Sequence, residues 1–226
     1  DEYAGNVFSD IPNPMGKLHR NKDNKDKKSR LVGNLYAELH LFDGFMFKTS
    51  FGADYNNLYR RSFSPKYDEI NASEKLSGLS NRNAWNFNWV FTNTLNYTKT
   101  FGDHTINALL GMESLRNRYE YFTASRDGFP SDDPNFHFLD AGDVGTQKNS
   151  GSATEYSMVS YFGKIDYNYH DRYLVAFTLR RDGSSRLGNN KWGNFPAASV
   201  GWRISNEPFF DVEAINNLKL RVGWGG

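Results

Sequence analysis

The sequence predicts an all-β fold, an antiparallel transmembrane β-barrel segment of about eight long strands. Three observations carry that expectation. Apolar and polar residues alternate strictly over long stretches. The alternating stretches are joined by connections that are short and long in turn. No stretch holds the roughly 18 consecutive apolar residues that a membrane helix needs. The alternation is clearest where Trp85, Phe87, Trp89, Phe91, Leu95 and Tyr97 share one parity. Asn86, Asn88, Thr92, Thr94, Asn96 and Thr98 take the other. Successive strand side chains point to opposite faces, so one face here is aromatic and the other wet. Soluble strands average about five or six residues. This run is far longer, as expected of a sheet between lipid and water.

Composition narrows the function classes. Mean hydropathy is -0.71, which a helix-based scan reads as soluble. Barrel strands escape such a scan because only alternate residues meet lipid. Aromatic residues reach 16%, and Tyr and Trp suit membrane interfaces. The absence of cysteine excludes disulfides, thiolate zinc clusters and a thiol nucleophile. A net charge of +1 argues against a nucleic-acid partner. No apolar signal segment opens the sequence, which fits a processed exported protein or a slice of a longer one.

The elements follow in order. Residues 1–29 carry Pro12, Pro14 and a basic run from Lys17 to Arg30, and read as a solvated extracellular loop segment. Residues 30–226 read as a partial barrel. Leu31, Gly33, Leu35, Ala37, Leu39 and Leu41 form the first apolar row. Asp43-Gly44 then signals a type I′ hairpin. Phe45, Phe47, Thr49, Phe51, Ala53 and Tyr55 form the second row, before a polar stretch from Leu58 to Asn83. The third row is Trp85–Tyr97, and a turn at Phe101-Gly102-Asp103 leads to Ile106, Ala108, Leu110 and Met112. Tyr119–Ala153 reads as a long irregular loop. Val159 to Tyr169, Tyr173 to Leu179, Ala198 to Ile204 and Leu218 to Trp224 supply four more rows.

The connections therefore read short, long, short, long, short, medium, short. Membrane barrels have short periplasmic turns and long extracellular loops. The first strand then runs inward, and eight strands bring both ends to the extracellular side. A self-contained barrel keeps its ends in the periplasm, so the expectation is a slice of a larger barrel.

Several stretches carry a family resemblance. They are SYFGKIDYNYHDRYLVAFTLRRDGSSRLG (Ser160–Gly188), NKWGNFP (Asn190–Pro196), SVGWRIS (Ser199–Ser205), EPFF (Glu207–Phe210) and LKLRVG (Leu218–Gly223). Upstream stand RLVGNLYAEL (Arg30–Leu39), FKTSFGADY (Phe47–Tyr55), TNTLNYTKTFGDHTINALLGME (Thr92–Glu113) and GFPSDDPN (Gly128–Asn135). Together they resemble the barrel of the SusC/RagA family of TonB-dependent outer-membrane transporters of Bacteroidota. Leu187 departs from the family's usual aromatic. The family's plug domain and TonB box have no counterpart here. The resemblance implies energised import of glycans or peptides across the outer membrane of a Gram-negative bacterium. It also implies a SusD-like surface lipoprotein as lid and the TonB–ExbB–ExbD complex acting through the plug.

Candidate site residues come from the run Arg180-Arg181-Asp182-Gly183-Ser184-Ser185-Arg186. By parity Arg180 and Asp182 oppose the Tyr173–Leu179 row and face the lumen. Arg181 has lipid-side parity, which places it near headgroups. Arg180, Asp182, Arg186 and the loop aromatic Trp192 are the lumen- or substrate-facing candidates. A salt bridge in the lumen wall is the plainer reading of the Arg180–Asp182 pair. Phe136 and Phe138 are further loop aromatics. Asp132, Asp133, Asp140 and Asp143 lack calcium-loop spacing, and the five histidines lack metal spacing. No nucleophile elbow or phosphate loop occurs, so neither an enzyme nor a cofactor is expected. The sequons at Asn71-Ala72-Ser73 and Asn96-Tyr97-Thr98 are chance matches in a bacterial exported protein. The rival readings are a complete small outer-membrane barrel, acting as adhesin or structural protein, and a soluble carbohydrate-binding module.

Overall fold

The computed structural model describes residues 14–69 and 72–226, so Pro12 and Asn71 of the first sequon lie outside the described residues. Eight long strands form one sheet: β1 (Lys25–Phe42), β2 (Phe45–Ser64), β5 (Gly78–Phe101), β6 (His104–Asp127), β7 (Lys148–Tyr169), β8 (Tyr173–Ser184), β9 (Trp192–Arg203) and β10 (Lys219–Gly225). Their spatial order is their order in the chain, a meander of antiparallel hairpins. β3 (Tyr67–Glu69) and β4 (Ala72–Glu74) make a separate small hairpin, and α1 (Pro14–Arg20) precedes β1. β1 and β10 each have a single neighbour in the sheet.

Contacts within the chain fall into two compact units. One contains residues up to Leu31, Asp54–Phe87 and Arg118–Thr154; the other contains Val32–Ala53, Asn88–Asn117 and Glu155–Gly226.

The first unit holds the long connection between β6 and β7. Phe63, Leu79 and Phe129 are buried together, with Leu139 and Ala141 packed against them. Ser77 Oγ donates to the Phe129 carbonyl and accepts from its N–H, at 3.2 and 3.0 Å. Asp133 and Asp143 cap short 3-10 turns at Pro134–Phe136 and Val144–Thr146. Asp140 pairs with Arg126 at 3.4 Å. These three acidic side chains thus serve the loop's own backbone and its charge balance.

The second unit holds the tight turns. At Asp43-Gly44 only Gly44 has positive φ, at 81°. The type I′ turn expected there needs positive φ at both positions, so that expectation is corrected. Asp43 keeps ordinary backbone and its carboxylate accepts from Lys99 Nζ. Positive φ at two successive positions occurs instead at His170 (53°) and Asp171 (56°), where Arg172 N donates to the Tyr169 carbonyl. Aspartate tolerates that region because its carboxylate finds local donors; here Asn168 Nδ2 and Arg203 supply them.

Strands run further than the alternation indicates. The ladder begins at Lys25 within the basic run, and Lys17–Arg20 are helical. β6 continues to Asp127 and β7 starts at Lys148, inside the stretch read as irregular. The physical reason is that a strand with water on both faces keeps its hydrogen bonds but loses its hydropathy alternation. Asp26–Arg60 and Arg30–Asp54, at 2.6 and 2.8 Å, are rungs of such a wet stretch. The last connection, residues 204–218, is long where a short one was expected.

Along β8 the apolar row is the more exposed row. Along β8, Tyr173, Val175, Phe177 and Leu179 are each 45–48% exposed, while Leu174, Ala176, Thr178 and Arg180 between them are half-buried. Among the described residues, the buried hydrophobics are Phe63, Leu79, Ala84 and Phe129, all in the first unit. A soluble sheet buries its apolar face; here that face is left exposed along β8.

Candidate functional site

Strand register fixes which residues share a face of the β7–β10 sheet. Tyr169 lies opposite Tyr173, Tyr173 opposite Trp202, and Trp202 opposite Leu220. Above them come Tyr167, Val175, Val200 and Val222, then Ile165, Phe177, Ala198 and Trp224. The face ends in Tyr161 with Arg181, and in Gly183 with Trp192. From Tyr173 to Gly183 the strand runs about 33 Å at roughly 3.3 Å per residue. A barrel tilt of about 40° reduces that to about 25 Å, the height of a lipid-facing apolar band. Tyr and Trp stand at both ends of it, as interfacial girdles do.

This geometry corrects one sequence expectation. Trp192 is the first residue of β9 and lies opposite Gly183, on the exposed apolar face and away from Arg180 and Asp182. Its ring covers Gly183, where a Cβ would come within 2.9 Å of it. Tyr161 stacks beside it at 6.2 Å, and the Arg181 guanidinium lies over it at 5.0 Å. A Trp–Tyr–Arg group is suited to a headgroup boundary, where apolar bodies and a charged tip are both satisfied.

The other face carries the polar groups. Arg180 Nε donates to both Asp182 carboxylate oxygens, at 2.7 and 3.0 Å. Its Nη2 donates to Ser160 Oγ at 3.0 Å and lies 3.7 Å from Glu113. Glu113 in turn accepts from Thr92 Oγ1 at 3.3 Å. One guanidinium thereby ties β8 to β7 and β6, and β6 is tied to β5. The side chains are 23–40% exposed, so each ion pair contributes only about 0–1 kcal/mol. Arg186 stands apart, in the β8–β9 connection, with its guanidinium 3.9 Å above the Tyr156 ring. Of the four predicted residues, the structure therefore unites Arg180 and Asp182 alone. Ser160 and Glu113 escaped the sequence reading because their partnership depends on register between strands distant in sequence.

Lower on the same face lies a shallow groove of about 330 Å³. Ala176, Thr178, Ala197, Ser199 and Gly223 form a small-residue floor, bordered by the Lys164–Asp166 pair and Arg221. Its lining offers hydroxyl and charged groups beside small side chains. Among the described residues, no cluster of three His, Asp or Glu side chains could hold a metal ion.

No family model matches the chain. It is 33% identical to TonB-dependent receptor P39 of Formosa agariphila over 99% of its own length. It is 32% identical to receptor P3 of the same organism over 96%, and 29% identical to TonB-dependent receptor SusC of Bacteroides thetaiotaomicron over 99%. The chain spans 21–22% of the length of these relatives. Its fold matches 24% of a chain in the structure of the RagAB peptide transporter, with a TM-score of 0.86 and 23% identity over 94% of this chain. The exposed apolar face, the girdles and likeness to these receptors along almost every residue agree, and the chain is similar to a segment of the β-barrel of SusC-type TonB-dependent receptors.

Proposed function

We propose that this segment is part of the wall of an energised outer-membrane importer of glycans or peptides. The observation that carries the reading is the division of faces along β8: the apolar row exposed, the ion-paired row on the other face. In this reading the exposed rows meet lipid, and the Arg180 and Lys164 rows line the solute path. Arg180 and Asp182 brace that wall, and Arg186 in the β8–β9 connection is a charged group available to a solute or lid. A SusD-like lipoprotein would capture the solute, and TonB–ExbB–ExbD would act on a plug inside the complete barrel. The solved RagAB relative is described as a peptide transporter, and the relatives are receptors rather than enzymes.

The test uses the full-length transporter in its own outer membrane. Single substitutions Val175→Cys and Thr178→Cys are challenged with a membrane-impermeant thiol reagent. The wall reading expects modification at position 178 and protection at position 175. Equal modification of both would overturn it. Uptake of labelled oligosaccharides and peptides, with and without a protonophore, identifies the cargo class and its dependence on energy.

A further inference from the structure

Three of the four connections at one end of the strands are tight: Asp43-Gly44, Gly102-Asp103 and His170–Arg172. The fourth, residues 204–218, is long and has a specific anchor. Glu207 is 8% exposed. Its carboxylate accepts from Tyr173 Oη at 2.7 Å and Trp202 Nε1 at 2.8 Å, and Arg172 Nη1 lies 3.5 Å away. Tyr173 and Trp202 face each other across β8 and β9 as the lowest rung of the exposed apolar face. The clamp therefore pulls the connection back onto that face and away from the groove side. Phe209 continues the rung, edge-on to Trp202 with ring centroids 6.3 Å apart. Beyond it the chain presents apolar side chains to the exterior: Phe209 is 69% exposed, Val212 47% and Ile215 43%. Asp211 and Glu213 lie between them, and Asn216 and Asn217 follow.

We infer that the β9–β10 connection is an interfacial anchor, with Phe209, Val212 and Ile215 entering the boundary between headgroups and acyl chains of the leaflet at the tight-turn end. The inference rests on the lipid-facing reading of the exposed rows and adds a membrane contact outside the strands. Continuity decides the occupant, since the apolar patch extends the Tyr173–Trp202–Leu220 rung that already meets lipid in that reading. The interspersed carboxylates and the amides that follow suit the boundary rather than the hydrocarbon. Irregular backbone needs water for its polar groups and cannot lie deeper. At the boundary both requirements are met, as for interfacial amphipathic segments. The Tyr173 and Trp202 donors hold the Glu207 carboxyl below its ordinary range against the opposing effect of burial. The clamp is therefore charged at neutral pH.

The test places nitroxide labels in the full-length transporter, in nanodiscs of phosphatidylethanolamine and phosphatidylglycerol. This segment has no cysteine, so Phe209→Cys, Val212→Cys and Ile215→Cys each give one label within it. Val175→Cys is the reference for the exposed row. Collision with oxygen should exceed collision with a water-soluble nickel chelate several-fold at all three positions, at a depth shallower than position 175. Adding Glu207→Ala should raise nickel access at the three positions and leave position 175 unchanged. Nickel access at all three, or access to neither reagent, overturns the anchor while an oxygen-rich position 175 keeps the lipid-facing row intact. Nickel access at position 175 overturns both.

Discussion

His137 lies flat on Phe63, with ring centroids 3.6 Å apart and planes 17° from parallel. The stack extends the small core of the long β6–β7 connection. Arg61 reinforces it by donating to the His137 carbonyl and lying over the Phe138 ring at 5.6 Å. His137 is only 5% exposed, and its Nε2 meets the Asp132 carbonyl at 3.1 Å. Burial, the largest effect, lowers its pKa below the ordinary 6.5, and the Arg61 charge acts in the same direction. The Asp132 carbonyl and the Asp23 and Asp132 carboxylates oppose them.

That direction predicts acid loosening of the loop. With a depressed pKa, the unfolded loop binds the proton more readily than the folded one. The stabilisation is fully present above the ordinary histidine value and is lost as pH falls from about 6.5 through the folded pKa. Protection factors at Gly128 and Asp143, whose amides donate to Ser77 and Asp127, should fall between pH 7.5 and 5.5 once the slower intrinsic exchange at lower pH is divided out. His137→Phe keeps a stacked ring without a titrating group and should flatten that dependence. An unchanged pH profile in the variant would assign the loosening to another group.

Gly111 sits directly beneath the Phe162 ring, where a Cβ would fall 2.2 Å from a ring carbon. Phe162 lies opposite Arg180, so this contact supports the braced polar face. Gly111→Ala should lower the thermal stability of the full-length transporter by about 1–3 kcal/mol, the range for overpacking a filled site. Phe162→Ala in the same protein should recover most of the loss. Additive losses in the double variant would show that the ring and the glycine do not share that space.

What could be read from sequence was the part of the chain with different solvents on its two faces. The rows from Tyr173 to Leu179 and from Trp85 to Tyr97 announce themselves because only alternate residues are apolar. Beyond that band, Lys148–Ala153 and Tyr119–Asp127 stay in strands without any such signal. The Arg180–Asp182 pair was legible because both residues lie two apart on one strand. Trp192 was not, because its face depends on register with Gly183, and register across a loop is set by pairing rather than composition. The Tyr173–Glu207 arm of the clamp and the His137 stack join residues more than 30 positions apart, beyond any local pattern.

The exposed row makes an asymmetric prediction about charge. Phe177 stands midway along the face and Arg181 near its end. Phe177→Arg should destabilise the folded barrel by about 2–4 kcal/mol, the cost of arginine at mid-membrane. Thr178→Arg, one residue on and facing the groove, should cost less than about 1 kcal/mol. Urea titration of the full-length protein folded into lipid vesicles measures both. Equal costs at the two positions would contradict the assignment of faces.

The Arg180 network gives the last prediction, because brace and substrate contact differ in what they affect. Its groups are partly exposed, and screening keeps each pair weak. Arg180→Gln retains a donor for Asp182 and Ser160 while removing the charge. As a wall brace, it should lower stability by about 1 kcal/mol or less and leave uptake within about twofold. Asp182→Asn should do the same, and the double variant should show coupling below about 1 kcal/mol, since the pair is the main interaction each loses. A substrate contact would behave differently. Uptake would fall tenfold or more in Arg180→Gln at unchanged stability, and the loss would depend on the charge of the cargo. Parallel uptake assays with neutral oligosaccharides and acidic peptides separate the two roles.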